Sequence, residues 1–196
     1  MESLVRVIVE NWLTYTRLSD PRVDDDDACR QIEMVNRHIV HADLEMNELF
    51  LRVMQEMADE SRDGDDEERT DMLDAMPAEI GVSLNEDEIE EEKDDPTNPA
   101  YHPELRPRLE DPLGYLLGMI AEDLLFYSIF DVEPNYAREQ WKRIGYQLRQ
   151  EPAATIQAFV AFTRRMADGI SEQRFQQSKD LLLSMPYDLG LLADPR

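Results

Sequence analysis

Between Asp59 and Asp95 the chain sets 18 acidic residues against three basic ones (Arg62, Arg69, Lys93), a net of −15 over 37 residues. Like charge at this density opposes compaction and attracts cations or basic surfaces. The apolar sequence is thereby split in two. A core has to be drawn from residues before about 58 and after about 110, and the organisation that follows is an N-terminal helical pair (1–58), an acidic, Pro-containing linker or insert (59–110) and a C-terminal helical bundle (111–196). The first and last units are free to form one domain.

Composition narrows the class. Apolar residues make up 42% of the 196, enough for a core, while 7 Gly is about half the average usage and disfavours glycine-hungry α/β enzymes and strand-rich barrels. An all-α fold is expected. The single Cys29 excludes an intramolecular disulfide framework and a Cys-based zinc site, and with no secretory pattern at the start the chain reads as intracellular and cytoplasmic. Residues 1–95 carry 30 acids and nine bases, residues 96–196 carry 14 and 11. Salt-adapted proteins spread acid over every face, so the near-neutral second half argues against halophily.

Residues 2–18 place Leu4, Val5, Ile8, Val9, Trp12, Leu13 and Tyr15 at helical spacing. Asp24 to Asp27 then provide an N-cap and a negatively charged first turn. From there Ala28, Ile32, Val35, Ile39, Ala42, Met46, Leu49 and Val53 alternate spacings of four and three. That seam predicts one helix over about 26–57, roughly 45 Å long. It serves an intramolecular bundle, with homo-oligomerisation as the other use. Carboxylates at a helix C-terminus oppose its dipole, so the helix should stop near Met57 unless a cation compensates, and the acidic block should open as loop. Thr70 to Met76 has room for a turn of helix before Pro77.

After Pro96, Pro99, Pro103 and Pro107 the character changes, and Pro112 opens an 18-residue segment apolar nearly all round. Glu122 and Asp123 inside it favour a central core helix over a membrane span, and Gly114 and Gly118 mark a close approach of another helix. Three more helices are predicted, over about 135–149, 152–167 and 171–185, punctuated by Pro134, Pro152, Gly169 and Pro186.

Candidate chemistry is sparse. Asp59, Ser61, Asp63 and Gly64 open like a calcium loop, but Asp66 and Thr70 stand where an apolar residue and a bidentate Glu are needed. His38, His41 and Glu45 could share a helix face without a further ligand set to complete a metal site. Cys29 lies near the seam and reads as a small core residue. Nucleotide-binding, zinc-protease and serine-hydrolase motifs are absent from the sequence. No cofactor, metal or catalytic residue is predicted, and no enzyme activity.

Two functions are weighed. The first is an acidic protein-binding module that engages a basic partner surface through Asp59, Glu60, Asp63, Asp65, Asp66, Glu67 and Glu68, together with Glu86, Asp87, Glu88, Glu90, Glu91, Glu92, Asp94 and Asp95. It would act as an inhibitor, immunity-type factor or nucleic-acid mimic. The second is an assembly or chaperone-like component that uses the seam of Ile32, Val35, Ile39, Met46, Leu49 and Val53. A net charge of −24 speaks against direct nucleic-acid binding, and no membrane partner is expected.

Overall fold

A computed structural model describes residues 1–16, 23–82, 109–130, 132–171 and 175–193. Eight helices account for most of them: α1 (Glu2–Thr16), α2 (Asp25–His41), α3 (Leu44–Asp63), α4 (Glu67–Ile80), α5 (Pro112–Ile129), α6 (Pro134–Gln150), α7 (Ala153–Gly169) and α8 (Gln176–Asp188). The protein is an all-α helical bundle. Among the described residues the one β interaction is an isolated antiparallel bridge, Val23 to Val132, joining the lead-in of α2 to that of α6.

The two most apolar helices lie at the centre. α1 buries residues on every side, Val5, Ile8 and Trp12 among them, and packs against α2, α3, α5 and α6. α5 is long and apolar enough to cross a membrane by length and composition, yet 61% of it is buried inside the fold, against α1, α2, α6, α7 and α8. A single apolar cluster takes in residues from all eight helices. Gly118 allows α7 to approach α5: a Cβ there would stand 3.0 Å from the Phe162 ring.

The seam holds, but the helix that carries it does not run unbroken over 26–57. Ala42 and Asp43 are extended, and Asp43 caps a new helix by accepting the Met46 N–H through Oδ1 at 2.9 Å. Its Oδ2 accepts the Leu109 N–H at 2.7 Å. A short acidic side chain that competes for backbone donors favours a cap over a helix interior, and here both of its oxygens are used. The spacing of Ile39, Ala42 and Met46 nonetheless carries the apolar face across the break, and all three are buried.

A second correction concerns the acidic block. α3 passes Met57 and ends at Asp63, and α4 follows after a tight turn. The compensating cations come from α1 and from the acidic block itself: Arg6 pairs with Glu56 and Glu60, and Arg62 of α3 with Asp59 and Asp74. α4 runs for 14 residues through Pro77 because Thr70, Leu73, Met76 and Ile80 recur on one face and are buried. Gly81, at φ +83°, closes it in the left-handed conformation that favours glycine, and the Val82 N–H reaches the Pro77 carbonyl at 2.8 Å. Each fully buried apolar side chain contributes about 1.5–3 kcal/mol. Exposed ion pairs are worth about 0–1 kcal/mol each, and repulsion between solvated like charges is screened in the same way, so the apolar face wins. The last helix begins at Gln176 rather than near 171 and extends to Asp188.

Candidate partner-binding surface

The α3–α4 hairpin carries the described part of the acidic block on two packed helices. Asp66 caps α4 through the Arg69 N–H at 3.1 Å, and Glu67 and Glu68 occupy its first turn, where the helix dipole favours negative charge. Asp65, at φ +56°, makes the turn, a conformation Asp tolerates better than most residues.

Near its turn, arginines stitch the hairpin together and to the bundle. Arg6 forks onto Glu60 at 2.8 and 2.9 Å, and this guanidinium holds the Glu60 carboxyl below the ordinary carboxylate range. Arg69 grips Glu10 of α1 with both terminal nitrogens and donates from Nε to the Ser61 hydroxyl at 2.9 Å. Arg62 bridges the two helices from Asp59 to Asp74. Asp59, Glu60 and Asp66 are therefore engaged in holding the hairpin together. Exposed Asp63, Asp65, Glu67 and Glu68, with Asp71 and Glu79, form no ion pair among the described residues. Asp71 and Glu79 fell outside the predicted set, because their exposure depends on α4 being a helix. Glu86, Asp87, Glu88, Glu90, Glu91, Glu92, Asp94 and Asp95 lie outside the described residues.

The seam lies elsewhere. Val35, Ile39, Met46, Leu49 and Val53 are buried and Ile32 packs half-buried against the same core, so these side chains face the protein's own interior. The calcium-like spacing dissolves in the same way: Asp59, Ser61 and Asp63 lie within α3, and the Ser61 hydroxyl donates to the Met57 carbonyl. His38 pairs with Glu122 of α5 at 2.9 Å while His41 meets the Arg37 carbonyl, and Glu45 lies beyond the helix break. Among the described residues no three His, Cys, Asp or Glu side chains gather as a metal-binding group. Cys29 is exposed rather than in the core, because it falls one position past Ala28 on the outer side of α2.

A polar centre of a different kind sits inside the bundle; the sequence pattern places two of its members, Asp123 as an acid in an apolar helix and Tyr15 on an apolar face, without linking them. Asp123 is fully buried and accepts three hydrogen bonds: from Asn11 Nδ2 at 2.6 Å, Gln31 Nε2 at 2.7 Å and the Tyr15 hydroxyl at 3.1 Å. Arg143 donates to Asn11 Oδ1 and, through Nε, to Gln140 Oε1 at 2.9 Å. Burial pushes the Asp123 carboxyl up to about 6, against the pull of its three donors, and pushes the Tyr15 hydroxyl well above its ordinary value. Clefts lined by described residues include two at the surface. One, of about 600 Å³, opens where Met1, Met46, Leu49 and Pro112 meet Asp43 and Glu110; the other, of about 480 Å³, runs along α7 beside Leu191 and Leu192.

Comparison of the chain with protein-family models, with curated proteins and with solved structures gives no match.

Proposed function

We propose that this protein is a non-enzymatic acidic binding module that presents the α3–α4 hairpin to a basic surface of another protein, in the manner of an inhibitor or immunity-type factor occupying a site for nucleic-acid phosphates. One observation carries the reading. Among the described residues Asp63, Asp65, Glu67, Glu68, Asp71 and Glu79 stand without cationic partners, on a hairpin whose Arg62 and Arg69 are already paired with other acids. Carboxylates on packed helices keep their relative positions, which matching a partner's arginines requires and a solvated tract does not supply. Rigidity also lowers the ordering cost of association.

The alternative, an assembly component, drew its interface from the seam. With those residues inside, that reading rests on the exposed Tyr146, Phe175 and Leu183 of the C-terminal half.

The test compares the full chain with a Glu67→Lys, Glu68→Lys, Asp71→Lys variant as bait, eluting captured proteins with rising salt. Basic proteins released at modest salt should be held by the parent and lost by the variant. Equal capture of those proteins by both baits would sink the hairpin as the binding surface.

A further inference from the structure

Asp123 stands where the acidic N-terminal helices meet the C-terminal bundle. α1 faces it with Asn11 and Tyr15, α2 with Gln31, and α5 with its own Glu122 and Tyr127. α6 contributes Arg143, which reaches the carboxylate only through Asn11, and Tyr136 against the Tyr127 ring. The charge is thus buried with no cation in contact among the described residues. Glu122 adds a second negative charge beside it, turned outward toward His38. Among the described residues three donors and no acceptor converge on Asp123, an arrangement complete for the ionised form.

The neutral acid needs something the ionised form does not, namely an acceptor for its own proton. Tyr127 lies one helical turn along α5, and its buried hydroxyl makes no hydrogen bond of normal geometry among the described residues. The Tyr15 and Tyr127 ring centroids are 5.8 Å apart, and the two hydroxyls lie close enough for each to shift the other's ionisation as a hydrogen-bonding neighbour. When a solvent proton settles on the carboxylate, the Tyr15 O–H can turn from Asp123 to the Tyr127 oxygen. Its own lone pair then accepts the new Asp123 O–H. One proton is taken up, one hydrogen bond reverses and one is gained, so an oxygen orphaned in the ionised state acquires a donor in the protonated one.

We propose that Asp123, Tyr15 and Tyr127 form a proton-operated latch between α1, α2, α5 and α6, which tightens the junction of the two halves on moving from neutral to mildly acidic surroundings. A carboxyl that titrates near 6 places the change within a cellular pH range. The junction gains stability as pH falls through that value and loses it as pH rises.

The latch is tested on the full chain by following the side-chain carboxyl carbons of ¹³C-labelled aspartate, with the Tyr15 ring resonances, from pH 4 to 8 (a range bracketing about 6). Asp123 should titrate near 6 with Tyr15 moving at the same midpoint. Tyr127→Phe, which keeps the ring and removes the acceptor, should lower that midpoint by about half a unit or more and abolish the Tyr15 response. An Asp123 midpoint in the ordinary carboxylate range would overturn the latch. So would a Tyr15 response that survives in Tyr127→Phe. The Asp123 midpoint is read on the parent protein, so failure of Tyr127→Phe to fold would leave that reading intact.

Discussion

The α3–α4 hairpin and the Asp123 centre hold carboxylates under opposite conditions. The hairpin keeps its acids in water, where each costs little, and relies on Leu73, Met76 and Ile80 beneath for its stability. At the centre a single carboxylate removed from water determines what four helices do with their polar side chains. Position in the dielectric, and not number, decides what a charge is worth.

The sharpest way to break the contrast is Asp123→Leu. It strands the Asn11, Gln31 and Tyr15 donors in an apolar interior, and a loss of about 3–5 kcal/mol in urea unfolding is expected. A loss below about 1 kcal/mol would mean that the centre is not the dry, closed site described. The pH dependence of the parent protein comes next. A carboxyl raised from 3.8 to about 6 by folding makes the native state the tighter proton binder, so stability is greatest below the lower value and declines as pH rises through 6. At about 1.36 kcal/mol per unit the whole decline amounts to about 3 kcal/mol, of which about 1.3 kcal/mol falls between about pH 5 and 7 and is measurable there as a fall in Tm. The Asp123→Asn variant should lack it.

Asp43→Ala removes the cap of α3 and a buried acceptor for the Leu109 N–H, with an expected cost of about 2 kcal/mol by chemical denaturation. The smallest effect belongs to the hairpin. Glu67→Gln with Glu68→Gln should shift stability by no more than about 0.5 kcal/mol while weakening attachment to a basic partner, which a binding isotherm at two salt concentrations would register. A large stability change there would merge the two regions into one class.

What could be read from the sequence follows the range of the interactions. Helix class, the buried face of residues 28–53 and the Asp24 cap are local patterns and stood in the sequence. The break at Asp43 did not, because its second oxygen is satisfied by Leu109, 66 residues away. The continuation of α3 past Met57 depends on Arg6, 54 residues from Glu60. Asp123 was visible as an acid in an apolar helix, yet its three donors are 92, 108 and 112 residues distant, and no spacing rule couples them. The hairpin's acids were legible as a composition and only became a surface once α4 had placed them.

Cys29 gives the molecule a property of practical use. As the sole thiol, exposed on α2 with Asp25, Asp26 and Glu33 one turn away, it is a unique point of attachment whose chemistry is filtered by its neighbourhood. Uncharged alkylating labels should enter readily, anionic disulfide reagents slowly, and oxidative pairing of two chains must first bring together two bodies of charge −24. A fluorophore placed there would report from the acidic half of the protein without a single residue being changed.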